Sequence, residues 1–215
     1  MGVLLMLMTI GVLFVAAVLL IVAFWKKIDW LKKFVFGGAA IWLALYAVLL
    51  FGSSLSSEEK TLGLNEPKEF CGFYLDCHMH TAVTGVRKAK TIGDKTAKGE
   101  FYVVKVKIFS DAKRVDLSLL APKLYVIDGD GKPYPRFEDA ENPAPPFDQK
   151  IPAGGSFERE VVFDLPSDVK NPRLDVAEGI GIDKAIEAVL IGDEDSILHK
   201  RVRFSLEPQA QTAKF

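Results

Sequence analysis

Phe101 to Phe109 reads FYVVKVKIF. Val104, Val106 and Ile108 alternate with Lys105 and Lys107, so an extended chain puts aliphatic side chains on one face and lysines on the other. Aromatic and β-branched residues suit such a half-buried pleated surface. A strand that is dry on one side needs a second layer to cover it, and shorter runs of the same kind flank this one on both sides. They are His80 to Val86 (HTAVTGV), Lys123 to Ile127, Phe157 to Leu165, Arg173 to Val176 and Arg201 to Leu206. Each is bounded by Gly, Pro or Asp. Only Asp183 to Ala188 hints at a helical turn. Several short strands at fairly regular spacing favour a sandwich over a parallel α/β sheet.

The connections read as turns. Asp128-Gly129 and Asp130-Gly131 suit a tight hairpin turn that needs positive φ, and Pro152 to Gly155 does the same ahead of the Phe157 strand. Asp128-x-Asp130-Gly131 also opens like a calcium loop, but Asp139 occupies the twelfth position where a bidentate Glu is required. The hairpin is the simpler reading. ENPAPPFD, Glu141 to Asp148, is too rich in proline to pair as a strand. It is expected to be an exposed loop, either an inert connection or a contact surface that uses Phe147. Acidic GDEDS, Gly192 to Ser196, reads as a turn between strands ending near Ile191 and starting near Leu198.

Three phrases in succession, AKGEFYVVKVKIF, KLYVIDGDGKPY and IPAGGSFEREVVFDLP, resemble a widespread bacterial immunoglobulin-like domain of largely unknown function found on lipoproteins and membrane-anchored extracytoplasmic proteins. The likeness runs from about Lys90 to Val176. It rests on a Gly before a hydrophobic strand, an Asp-x-x-Gly hairpin, a Pro-Gly-like turn and a phrase near VVFDLP. Ser110 stands where that family often has Asn, and Pro152-Ala153-Gly154 where it often has Pro-Gly. The resemblance implies an immunoglobulin-like sandwich outside the cytoplasm and carries over no catalytic residues.

The N-terminal quarter has a different character. Of the 215 residues 49% are hydrophobic, and they are concentrated between Val3 and Phe51. Val3 to Phe24 carries no charge, and a bilayer core of about 30 Å needs about 20 apolar helical residues. Phe34 to Phe51 is a second uncharged run. Between them Lys26, Lys27, Lys32 and Lys33 sit with Trp25 and Trp30. Lysines in a short loop mark the cytoplasmic side, and tryptophans favour the interface. The expected protein is a membrane-anchored all-β chain: a transmembrane α-hairpin followed by an immunoglobulin-like antiparallel β-sandwich. Its parts are a hairpin over 1–52 (helices 3–24 and 34–51, cytoplasmic loop 25–33), a linker over 53–69, a sandwich over 70–208 and a tail over 209–215. Both termini and the sandwich then lie on the periplasmic side of a cell (inner) membrane crossed twice. A cleaved signal peptide fits less well, since no basic residue precedes the first run and no A-x-A pattern follows the second. Neither run contains an ionisable group of the kind that transport or proton relay uses. Gly37, Ala40, Ala44 and Ala47 form a stripe of small residues suited to close helix packing in lipid. Either the first helix of the hairpin or a larger membrane complex could fill it.

One cluster invites chemistry. Cys71 and Cys77 are the only cysteines, and His78, Met79 and His80 follow directly. Outside the cytoplasm paired cysteines usually oxidise, so the plain expectation is a small disulfide loop. The sharper one is a metal site over His78, Met79 and His80: thiolate, imidazole and thioether ligands together favour copper, or zinc if Met79 is idle, with His78 and His80 sharing one face of a strand and further ligands drawn from the cysteines or His199. A Cys77–His78 nucleophile is disfavoured, because adjacent residues on a strand point apart. No Ser/His/Asp set, phosphate loop or dinucleotide fingerprint occurs. The net charge of −1 is scattered, which argues against nucleic acid. The expected function is a non-enzymatic accessory subunit, embedded in the lipid bilayer and docked in a membrane-protein complex, with respiratory and photosynthetic complexes as the expected hosts. It needs no cofactor and no small-molecule substrate. The alternative is a membrane-anchored handler of copper or zinc.

Overall fold

The computed structural model describes residues 2–70, 77–142 and 144–207. They form two compact units. Of these, one contains residues 2–58 together with 182–201, and the other contains the described residues of 59–181 together with 202–207.

The first unit is built on two helices, α1 (Gly2–Trp25) and α2 (Asp29–Leu55). Both are long and apolar enough to cross a membrane. They outrun the uncharged stretches, so Lys32 and Lys33 belong to α2 and the connection shrinks to Lys26–Ile28. Asp29 opens α2, where the helix dipole favours a carboxylate, and it pairs with Lys32 at 2.8 Å. A left-handed Lys27, with φ of 52°, reverses the chain between the helices. The seam between them uses Thr9, Val35 and Leu50, all buried. Thr9, a polar residue amid the α1 aliphatics, accepts a hydrogen bond from Trp42 Nε1 at 3.1 Å and donates one to the Leu5 carbonyl at 2.9 Å. Elsewhere the aliphatic and aromatic side chains point outward, Phe14, Ile21, Ile41 and Val48 among them.

The small-residue stripe is not this seam. Gly37, Ala40 and Ala44 are exposed and Ala47 is half-buried. A Cβ added at Gly37 would meet nothing within 4 Å. The larger Val35, Trp42 and Leu50 fill the space against α1, and the stripe lies on the opposite side of α2.

The second unit is a β-sandwich. One sheet orders β2 (Lys68–Phe70), β3 (Met79–Ile92), β4 (Lys95–Ser110) and β7 (Ser156–Leu165). The other orders β1 (Lys60–Leu62), β9 (Val202–Ser205), β8 (Arg173–Ala177), β5 (Lys123–Ile127) and β6 (Pro133–Pro135). Every pairing is antiparallel except β1 with β9, so the second sheet is mixed rather than purely antiparallel. Two strands this distant in sequence escape the tight turn that forces antiparallel neighbours. β4 behaves as its alternation requires. Tyr102, Val104, Val106 and Ile108 enter the core with Phe163 and Phe204, whereas Lys105 pairs outward with Glu158 at 3.0 Å. The unalternating start of the strand also has a cause. Phe101 and Val103 on its other face form a second small cluster with Val162, covered by Phe137 and Ala140.

The expected linker over 53–69 is largely structured. α2 continues to Leu55, and β1 and β2 lie within the remainder. Lys68 is buried, and its ammonium donates to the carbonyls of Val176 at 2.8 Å and Val202 at 3.2 Å. It thereby ties the β2 edge to both β8 and β9. Polar three-residue strands leave no periodic trace, which is why these two read as linker. The turn at Gly192 to Ser196 also differs from expectation. No strand ends near Ile191, because α3 (Gly181–Glu187) leads into a series of turns that pack within the helical unit.

Candidate functional site

The Cys/His cluster lies where β3 begins. Met79 pairs with Phe70 on one side and Ser110 on the other, and His80 pairs with Phe109. Alternation then separates them. Met79 enters the core, while His80 turns to the opposite face and stacks on Phe109 with ring centroids 4.9 Å apart. The thioether is therefore withdrawn from the imidazoles. His78 precedes the strand and is half exposed. The two histidines still meet one group, as their spacing suggests, and that group is Asp111, just beyond β4. His78 Nδ1 lies 2.6 Å from Asp111 Oδ1 and His80 Nε2 lies 3.4 Å from the same oxygen. The second contact is the longer one, and neither ring nitrogen of His80 makes a hydrogen bond. The hydrogen bond with His78, aided by His80 and opposed by burial, holds the Asp111 carboxyl below its ordinary value.

Chemically this is an acid–base bridge that ties the start of β3 to the end of β4, reinforced by the Asp111 amide donating to the His78 carbonyl at 3.2 Å. Among the described residues no three His, Cys, Asp or Glu side chains are arranged to hold a metal ion. His199 lies in the other unit, its Nδ1 2.9 Å from the Lys200 carbonyl. Cys71 lies outside the described residues. Cys77 does not stand as a free thiol.

No protein-family profile matches the chain, and no curated protein does. Among solved structures the chain is similar to MPT63, a secreted protein from Mycobacterium tuberculosis, at 12% identity over 70% of this chain and 99% of that one, with a TM-score of 0.44. It is similar to an uncharacterized beta-sandwich protein from Clostridium difficile 630 at 10% identity, over 71% of this chain and 98% of that one, with a TM-score of 0.38. The yjhA protein from Bacillus subtilis aligns at 15% identity over 52% of this chain and 77% of its own, with a TM-score of 0.37. With scores below 0.5, the sandwich assignment rests on this chain's own strand order.

The Asp128 turn is a hairpin, as its residues suggest. Asp128 Oδ1 accepts the amides of Asp130 at 3.0 Å and Lys132 at 2.9 Å, Oδ2 accepts the Tyr134 hydroxyl at 3.0 Å, and Gly131 takes φ of 84°. The carboxylate is committed to the turn, and Asp139 sits apart in a short 3₁₀ turn. A groove of about 400 Å³ opens beside it, walled by Tyr134, Asp168 and Lys170. The hydrogen bond from the Lys132 backbone N–H holds the Asp128 carboxyl below its usual range against the opposing effect of burial, with Tyr134 and Asp130 adding to it. A depressed folded value means that this stabilisation is fully present above the unfolded value of about 3.9 and is lost as pH falls through the folded one. Asp128→Asn is therefore expected to flatten the acid limb of stability, measured as the urea midpoint of the full chain between about pH 5 and pH 2.5. An unchanged acid slope in the variant would remove the carboxylate's role.

Phe147 is not a contact surface. It is buried, with Arg159 and Arg136 over its ring at 4.4 Å and 5.0 Å. Glu141, its side chain 1% exposed, joins both guanidiniums. Nothing in ENPAPPFD marks Glu141 as buried, because its partners Arg136 and Arg159 lie outside that segment.

Proposed function

We propose that the chain is a two-pass membrane protein that holds an immunoglobulin-like sandwich outside the cytoplasm, as a non-enzymatic accessory subunit docked on a membrane partner. The observation that carries this is the outer surface of α1 and α2. Helices of 24 and 27 residues present aliphatic and aromatic side chains on nearly every outward position, which lipid tolerates and water does not. Lys26, Lys27, Lys32 and Lys33 cluster at the connecting end with exposed Trp25 and Trp30, favouring a cytoplasmic turn. Gly37, Ala40 and Ala44 are turned away from α1, so the stripe remains open to a helix of the partner. A Cys71–Cys77 disulfide suits the oxidising side, and the absence of a free thiol at Cys77 supports it.

The test is gentle detergent extraction from native membranes, followed by identification of what co-migrates in fixed stoichiometry and by a metal scan. Ala40→Phe and Ala44→Phe are expected to lower the co-migrating partner about tenfold or more. Leu45→Phe, on a different outward face, is expected to leave it in place. A chain that migrates alone with bound copper or zinc overturns the subunit reading.

A further inference from the structure

We infer that residues 182–200 form a wedge seated in the outer leaflet of the membrane against α2, a third lipid contact besides the two helices; this rests on the membrane reading above. β8 and β9 pair directly, Leu174 opposite Phe204, yet the chain leaves between them for some twenty residues and packs within the helical unit. Two properties of this excursion point to lipid.

Many of its polar groups are paired within the segment. After α3, the amides of Ala188, Val189 and Leu190 donate to the carbonyls of Lys184, Ile186 and Glu187 at 3.0–3.1 Å, and Ile197 donates back to Ala188 at 3.0 Å. The Asp193 carboxylate accepts the Asp195 amide at 2.9 Å. Lys184 pairs with Asp195 and with Glu187, the latter at 3.2 Å, and Arg201 pairs with Asp195 at 2.7 Å. Leu190 is buried, but three further aliphatic side chains are turned out: Ile182 is 77% exposed, Leu198 63% and Ile197 44%. Charges that are paired and partly covered, beside aliphatics more exposed than they are, depart from the arrangement that water favours.

Its anchor points also reach membrane depth. The Lys200 amide donates to Ser57 Oγ at 2.9 Å, and the Tyr46 hydroxyl donates to the Val189 carbonyl at 2.7 Å. A Cβ on Gly2 would meet the Ile191 carbonyl at 2.3 Å, so the start of α1 touches the segment as well. Tyr46 lies sixteen residues beyond Trp30, about 24 Å along the helix. With Trp30 at the inner interface and a hydrocarbon layer of about 30 Å, Tyr46 falls about 6 Å short of the outer boundary. A carbonyl at that depth finds no water, and the tyrosine hydroxyl supplies the donor it needs. The outward aliphatics then continue the apolar surface of the helices, and the occupant that fits is the acyl-chain edge of the outer leaflet.

The test places the full chain in nanodiscs of phosphatidylcholine and phosphatidylglycerol and attaches an environment-sensitive fluorophore to Leu198→Cys and, separately, to Ile182→Cys. Phe14→Cys and Lys113→Cys serve as references for the bilayer and for water, and the unsubstituted chain sets the background from Cys71 and Cys77. Lipids brominated near the headgroup end of their acyl chains are expected to quench the Leu198 and Ile182 labels by about half, with the Lys113 label unaffected. A quenched Phe14 label beside Leu198 and Ile182 labels that behave like Lys113 overturns the wedge and leaves the anchor standing. Blue-shifted but unquenched labels at 198 and 182 mean a protein partner covers the segment, and also overturn it. If the Phe14 label escapes quenching, the membrane reading itself fails.

Discussion

Glu141→Ala is expected to cost the sandwich about 3–5 kcal/mol, the loss typical when one partner of a buried ion pair is removed. Glu141 Oε2 takes Arg136 at 2.6 Å and Arg159 at 3.2 Å, and Oε1 takes the Val162 amide at 3.0 Å. Arg159 also donates to the Pro145 carbonyl at 3.0 Å, which fastens the proline-rich loop. Without the carboxylate, two guanidiniums face each other over Phe147 with only the exposed Glu138, 3.6 Å from Arg136, as counter-charge, and a strand amide loses its acceptor. The pair itself need not add net stability, because burying charges is costly. Urea unfolding of the full chain in detergent, followed by circular dichroism in the strand region, measures the difference. Arg136→Met and Arg159→Met combined with Glu141→Leu should recover part of the loss, since the whole network is then replaced by apolar side chains. A Glu141→Ala variant within about 1 kcal/mol of the parent would mean the network is solvent-relaxed.

Gly99→Ala is expected to cost about 2–3 kcal/mol, at the upper end for an overpacked site. A Cβ at this position would lie 2.0 Å from the Leu165 carbonyl oxygen, and backbone cannot rotate away as a side chain would. The close approach is held by Asp164, whose carboxylate accepts the amides of Lys98 at 2.9 Å and Gly99 at 3.0 Å. The glycine before the hydrophobic strand and the aspartate of VVFDLP are thus two halves of one contact between β4 and β7. Thermal unfolding of Gly99→Ala beside Gly85→Ala separates this effect from a general glycine penalty. A Cβ at Gly85 would meet only Lys105 Cβ, at 3.8 Å, so that variant should shift the midpoint far less.

Those two residues also mark how much of the molecule was legible. Strands with aliphatic alternation, β4, β5, β7 and β8, could be read from period and composition, because their burial is one-sided and their ends carry Gly, Pro or Asp. The apolar helices could be read from length alone. Strands of three residues could not: Lys60–Leu62, Lys68–Phe70 and Pro133–Pro135 owe their state to a neighbour's open edge. Lys68 illustrates the limit, since a lysine in sequence signals a wet surface and here reaches across a core edge to two carbonyls. In the candidate site, the pairing of His78 with His80 was legible from their i, i+2 spacing, but Asp111 was not. It lies thirty-odd residues away and is brought in by the β3–β4 register. Met79 adjoins both histidines in sequence, but alternation of the strand sends it to the core. The excursion over 182–201 gave only a helical hint at Asp183 to Ala188, and its association with the helices comes from tertiary contacts alone.

If the helices cross a membrane and hold the sandwich on its outer side, lysines of the two parts must face opposite compartments. Labelling lysines with a membrane-impermeant amine reagent, in right-side-out and then in inverted membrane vesicles, with each site read by mass spectrometry, tests it most directly. Lys113 and Lys150 on the sandwich and Lys26 and Lys27 at the helical turn are all exposed, so access alone decides the outcome. The account predicts labelling of Lys113 and Lys150 in right-side-out vesicles, with Lys26 and Lys27 reacting only after inversion. Equal labelling of all four in both preparations, or the reverse pattern, would contradict it.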